Sequence, residues 1–256
     1  MPRLPFFLAL PTLLICGIGE ACAITAPLAP VGPVPVATPD AGGKALQVAF
    51  LVVDGVYNTE LMAPYDVFQH TVFHAKPGMA PFTVSPDGKP ITTFEGLVID
   101  PKYSFADAPP IDVLVVPSAE GSMTKDLENR GLIDWVKKTA KSARIVMSLC
   151  DGAFVLAQAG LLDGLPVTTF PGDYQKFAAK FPTLDLRVNV NYVDAGKVIT
   201  SQGGARSYTA AMHLVERLFG LPAAQGIGRG LLIPWPPGSE SEPAGVVEPG
   251  ALPAGQ

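Results

Sequence analysis

Between Lys44 and Gly220, short uniformly apolar runs alternate with stretches whose apolar positions recur every three or four residues. Runs of the first kind fit parallel strands covered on both faces, and the 3.6-residue period fits the helices that cover them. Strands are predicted over Gln47 to Val53, Phe82 to Ser85, Ile111 to Val116 and Ile145 to Leu149. The first ends in Asp54-Gly55, and the second is closed by the turn signal Pro86-Asp87-Gly88. A helix from about Glu60 to His74 is expected from the stripe Leu61, Tyr65, Phe68 and Val72. Asn129 can cap a second, with Leu132, Ile133, Val136 and Ala140 inward.

The fourth strand runs into Cys150-Asp151-Gly152 and a helix over Ala153 to Ala159, apolar on nearly every side and stopped by Gly160. Next come a short strand at Val167 to Thr169, a helix near Asp173 to Phe181, and a hairpin: Val190 to Val193, the turn Asp194-Ala-Gly196, Lys197 to Thr200. The last helix, about Ser207 to Phe219, turns Ala211, Leu214, Val215 and Leu218 inward and stops at Gly220. The expected fold is α/β: a doubly wound, mostly parallel sheet with helices on both faces and a small β-hairpin. No internal repeat is visible.

The ends of the chain differ in composition. Of 27 prolines, 15 lie in 1–43 and 221–256. Arg3, the apolar run Leu4 to Ile18 and Ala21-Cys22-Ala23 read as an export signal over 1–23, cleaved after Ala23. The run is shorter than the roughly 20 residues of a membrane span and contains Pro5 and Pro11. A lipid anchor on Cys16 or Cys22 meets poor preceding residues in Ile15 and Glu20. Residues 24–43 form a Pro/Ala-rich linker, 44–220 the domain and 221–256 a tail. In the tail Leu231 to Trp235 can dock back, and the chain after about 236 has too little apolar content to fold alone. The expectation is a periplasmic or secreted protein without a membrane partner after cleavage. Eighteen basic against 23 acidic residues give a net charge of −5, with no basic cluster, which argues against a nucleic acid partner.

With the signal removed, Cys150 is the single cysteine, either buried as a small apolar side chain or used. It sits where a strand passes into a helix, the end of an α/β sheet at which ligands bind. The open N–H groups and positive dipole end of the helix lower a thiol pKa there, and Gly152 leaves room for the turn.

The run Val146-Met-Ser-Leu-Cys150-Asp-Gly-Ala-Phe-Val-Leu-Ala-Gln-Ala-Gly-Leu-Leu162-Asp-Gly resembles the nucleophile region of the ThiJ/PfpI family, within the class I glutamine amidotransferase-like superfamily. Phe50 to Gly55, Glu60-Leu-Met-Ala-Pro64-Tyr-Asp-Val-Phe68, Val113 to Pro117 and Ile199-Thr-Ser-Gln-Gly-Gly204 agree in order. The resemblance covers about Ala45 to Gly220 and implies a flavodoxin-like sheet in a glutamine amidotransferase-like sandwich.

The resemblance puts the nucleophile on Cys150 and its acidic partner, four residues before a proline, on Glu60, which by itself also reads as a helix N-terminal acid. It implies an oxyanion hole from the main-chain N–H groups of Ala119 and Asp151, in the loop Pro117-Ser118-Ala119 and after the nucleophile. Asp151 is either a helix N-terminal acid or a second carboxylate for proton transfer. Asp54, Ser118, Thr169 and Phe170 are expected to line a substrate pocket. Where many members carry histidine, this chain reads Thr168-Thr169-Phe170-Pro171-Gly-Asp173. His70 and His74 stand four apart without a third metal ligand, and His213 lies in the last helix, so no metal and no cofactor are expected.

Without histidine, thiolate addition to a small electrophile suits the residues better than peptide hydrolysis. The implied function is a cysteine-dependent hydrolase or lyase, hydratase, glyoxalase/deglycase or amidase-like, acting on a small molecule as a homodimer. The alternative is a small-molecule-binding or oxidation-sensing module related to the sensory domain of AraC-type regulators.

Overall fold

A computed structural model describes residues 43–238. The expected export signal, nearly all of the linker and the end of the tail lie outside the described residues. The elements are β1 (Leu46–Leu51), α1 (Asn58–His70), β2 (Met79–Ser85), β3 (Ile91–Thr92), β4 (Val98–Ile99), β5 (Tyr103–Ser104) and β6 (Val113–Val116). Then come α2 (Lys125–Glu128), α3 (Arg130–Ser142), β7 (Ile145–Leu149), α4 (Gly152–Gln158), β8 (Pro166–Val167), α5 (Tyr174–Lys180) and β9 (Asp185–Leu186). β10 (Tyr192–Asp194), β11 (Val198–Ser201), α6 (Arg206–Phe219) and α7 (Leu221–Leu231) complete the series.

Seven strands form the main sheet in the order β10-β11-β7-β6-β1-β2-β5. Every pairing in it is parallel except that of β10 with β11. The order reverses between β1 and β6, so the loops after their C-terminal ends splay apart and leave the crevice in which such folds bind ligands. Alternate residues of the central strands serve opposite faces. Val48, Phe50 and Val52 pack with Val113, Val115 and Met147 against α1, α6 and α7. Ala49 and Leu51 pack with Leu114, Val116 and Val146 against α3, α4 and α5. The doubly wound sheet is as the apolar runs imply, because only strands covered on both sides can be apolar at successive positions.

Asn129 caps α3 as expected, its Oδ1 accepting from the Leu132 N–H at 3.2 Å. The hairpin turn is held by Asp194 Oδ1, which accepts from the Gly196 N–H at 2.9 Å. Three expectations are corrected. Helix α1 ends at His70 and passes into a 3-10 turn at Thr71–Phe73, so Val72 is exposed. Thr71 turns inward instead, its hydroxyl donating to the Phe68 carbonyl and accepting from the Met79 N–H. The strand expected at Val167 to Thr169 is the two-residue β8, which pairs with β9 outside the main sheet. Finally, the chain past Gly220 is no tail at first: α7 continues the domain, burying Ala224 and Ile227 on the α1–α6 side. Trp235 docks back as expected, buried, with its indole N–H donating to Glu216 Oε2 at 2.6 Å.

Candidate active site

Cys150 stands between β7 and α4 with φ +54°, in the left-handed region that costs a residue with a Cβ about 1–2 kcal/mol. The turn is forced by its neighbours. Gly152 presses against the Val116 carbonyl, where any Cβ would collide with backbone, and Gly203 (φ +79°) presses against the Cα and Cβ of Cys150. The Cys150 N–H donates to the Ser201 carbonyl at 3.0 Å, tying the turn to β11. Local strain of this kind persists only where surrounding structure determines it, which is frequent at functional sites.

The sulfur environment departs from the expectation of a depressed thiol pKa. Cys150 is 7% exposed, and burial pushes its thiol up, followed by the negative charges of Asp151 and Glu60. The Asp151 N–H and the Ser118 hydroxyl pull the other way without reversing the rise. The Ser118 oxygen is buried and makes no well-formed hydrogen bond among the described residues. Desolvation of the thiolate outweighs the helix N-terminus because α4 is short and two carboxylates face the sulfur.

Glu60, in the first turn of α1, is 6% exposed, and its Oε1 accepts from the Gly204 N–H at 2.8 Å. A buried carboxylate beside a thiol can receive the thiol proton as the sulfur attacks. Asp151 is equally buried, and its Oδ1 accepts from the Thr169 hydroxyl at 3.2 Å. Its pKa is pushed up to about 7, first by burial and then by the neighbouring Asp173, against the Thr169 hydroxyl and Lys176. Asp151 stands at the N-terminal end of α4 without a side-chain cap hydrogen bond, and its carboxyl also acts on the sulfur.

The remaining expected residues divide. The Ala119 N–H donates to Ser122 Oγ at 2.8 Å and is not open to an oxyanion, a correction that the Ser122 side chain imposes. The donors beside the sulfur are the Asp151 N–H and the Ser118 hydroxyl. Thr169 joins the site through Asp151 and through the Cys150 carbonyl, to which it donates at 3.1 Å. Phe170 follows it, 42% exposed. Asp54 does not join them. It accepts from the Thr92 N–H at 2.9 Å and lines a cavity of about 450 Å³ at the β1–β2 end, with Lys89, Lys125 and Asp126 and without Cys150.

Sequence reasoning missed Tyr57, whose ring lies 4.7 Å from that of Phe94 and whose hydroxyl pKa is raised by burial and by Cys150, Glu120, Asp151 and Glu60. It stands one helical turn before Glu60, a signal too weak alone. It also missed Asp173, 8% exposed, which accepts from Lys176 Nζ at 2.6 Å. Asp173 lies in the very segment where the histidine is absent. His70 is engaged by Asp66, His74 lies against Gly226, and His213 bridges Tyr192 and Asp194. Among the described residues no three His, Cys, Asp or Glu side chains converge as metal ligands.

The chain is 32% identical over 182 residues to the isonitrile hydratase of Pseudomonas putida, covering 71% of this chain and 75% of that protein. It is 27% identical over 138 residues to the HTH-type transcriptional regulator GbdR of Pseudomonas aeruginosa, covering 54% of this chain and 37% of the regulator. The crystal structure of a THiJ/PfpI family protein from Pseudomonas syringae superposes with a TM-score of 0.66 at 23% identity, covering 79% of this chain and 85% of that one, a likeness of fold. The family model of DJ-1/PfpI matches residues 46–217, and the chain belongs to the DJ-1/PfpI family.

Proposed function

We propose that the protein is a cysteine-dependent hydratase acting on a small electrophile with a carbon–nitrogen multiple bond, an isonitrile being the first class to test. The observation that carries this reading is the left-handed Cys150 turn, with the Glu60 and Asp151 carboxyls both acting on its sulfur. Similarity to an isonitrile hydratase over most of that enzyme supports the substrate class.

The resting sulfur is a neutral thiol. As it attacks the terminal carbon of R–NC, its proton passes to Glu60, and the carboxyl of Asp151 delivers a proton to the same carbon. The adduct is a thioimidate, R–N=CH–S. Water then adds to that carbon, losing a proton to Asp151 while Glu60 protonates the nitrogen. Collapse returns the hydroxyl proton to sulfur, breaks the C–S bond and releases the formamide R–NH–CHO. Each carboxyl ends as it began, so the cycle needs no redox partner.

The test is incubation of the full chain with a small alkyl isonitrile, followed by proton NMR for the N-formyl product. Formamide is expected, with a loss of more than about a thousandfold in Cys150→Ala. No product at any pH from 5 to 9 would remove the reading. Part of the same proposal is export directed by residues 1–23, tested by fractionating cells that express the full chain: recovery with the cytoplasmic fraction would reject it.

One observation favours a second reading, a ligand-binding or sensing module. A thiol kept neutral by burial is a poor nucleophile at rest, and the regulator GbdR shares part of this domain's sequence. Tight binding of an isonitrile without turnover would select it.

A further inference from the structure

The cavity of about 450 Å³ at the β1–β2 end does not include Cys150. Its size is that of a small-molecule pocket, and it stands where the strands of an open α/β sheet end and ligands are received. Val53, Pro86, Pro90 and Ile91 give it apolar walls, and every other lining residue is polar or charged.

The charges of the lining do not balance. Asp87 and Lys89 neutralise each other, with Lys89 Nζ 2.9 Å from Asp87 Oδ2. Among the described residues lining the cavity, that leaves the carboxyls of Asp54 and Asp126 against the ammonium of Lys125, one negative charge in excess. Asp54 is exposed and already accepts from the Thr92 N–H through Oδ1. Asp126 is 7% exposed, and among the described residues no N–H or O–H group donates to its carboxyl. Gly121 makes room for that carboxyl: a Cβ there would come within 2.6 Å of both oxygens. Burial pushes the pKa of Asp126 up, opposed only by the charge of Lys125. A buried carboxylate with no hydrogen bond carries its desolvation uncompensated, and a charged donor brought by a ligand offsets it.

We infer that this cavity binds a small primary amine in its ammonium form, the N–H groups donating to Asp126 and the charge cancelling the excess. The hydrocarbon part of the amine packs on Val53, Pro86, Pro90 and Ile91. An alcohol brings a donor without the charge, and a quaternary ammonium brings the charge without a donor. The primary amine supplies both at one atom, where Asp126 needs both. This site is independent of the hydratase reading, since it shares no side chain with the proposed cycle.

The experiment is a titration of the nitrogen-15-labelled full chain with n-butylammonium at pH 7, where an alkylamine keeps its proton, followed by amide NMR. Saturable shifts are expected at 53–54, 86–91 and 125–129. The controls 1-butanol and tetramethylammonium should bind at least about tenfold more weakly. Asp126→Asn should weaken the amine by about 10–100-fold, the loss of one charged hydrogen bond. Lys125→Met alters an exposed side chain and removes the competing cation, so binding should tighten by about 3–10-fold. If Asp126→Asn fails to fold, Lys125→Met and the two controls decide alone. No saturation below about 50 mM, shifts centred elsewhere, equal binding of either control, or an affinity that the folded variants leave unmoved would each overturn the inference.

Discussion

Glu60 Oε1 accepts a hydrogen bond from the N–H of Gly204 at 2.8 Å, across 144 residues of chain. The adjoining Gly203 rests against Cys150 itself. One carboxylate therefore closes the loop after β11 over the nucleophile turn, and its charge acts on the sulfur in the same place. Substitution separates the two roles.

Glu60→Gln keeps an oxygen acceptor for Gly204 and removes the charge. Cys150 alkylation followed against pH should show its inflection at lower pH than in the parent, because the charge of Glu60 raises the thiol pKa. Isonitrile turnover should fall by about 10²–10⁴-fold with the loss of the proton acceptor. Glu60→Ala also strands the Gly204 N–H and should cost a further ~1–3 kcal/mol in urea unfolding. An inflection moved upward by Gln would instead mean that the carboxyl donates to the sulfur.

Gly152→Ala should destabilise by about 3 kcal/mol, since the added methyl meets the Val116 carbonyl and neither backbone can yield. Gly160→Ala, whose nearest neighbour is a side-chain oxygen at 3.7 Å and whose cost is only its φ of +69°, should lose ~1–2 kcal/mol. Equal urea midpoints for the two would contradict the close approach.

Asp151 makes stability depend on pH with a definite sign. Its folded pKa is raised from the ordinary carboxylate range to about 7. Below about pH 4 both folded and unfolded chains are protonated there. As pH rises from 4 to 7 the unfolded chain releases its proton first, so stability falls across that window and levels off above it. Asp151→Asn should abolish that part of the fall, as measured by thermal unfolding at a series of pH values. A parent protein that gains stability from pH 4 to 7 by as much as the Asn variant would refute the assignment.

Trp235 fastens the end of α7 and the chain beyond it to α6 through Glu216. Trp235→Ala should lose about 3–5 kcal/mol by cavity formation, and Trp235→Phe about 1–3 kcal/mol through the hydrogen bond. If residues 221–238 were a detachable tail, truncation at Gly220 would leave the urea midpoint unchanged; the packing of Ala224 and Ile227 predicts that it will not.

What the sequence alone determined is the part carried by periodicity and by the turn. Uniform apolar runs specify strands buried on both faces, Asn129 specifies the start of α3, and Cys150-Asp-Gly marks the strand-to-helix passage, because each depends on residues near one another in the chain. Residues with weak local signals were hidden. Helix α7 contains Pro222 and three glycines and reads as tail until α6 is there to pack against. Val72 satisfies the helical stripe yet is exposed, because Thr71 finds partners in Phe68 and Met79 and tightens the turn.

Only the tertiary structure decided the electrostatics of the site. Desolvation and like-charge repulsion depend on groups brought together from distant segments: Glu60 from α1, Thr169 and Asp173 after β8, Gly204 after β11. Local reasoning saw a helix dipole that should lower the Cys150 pKa. Folding surrounds that thiol with carboxyls and excludes water, and in a low-dielectric interior these outweigh the dipole of a two-turn helix.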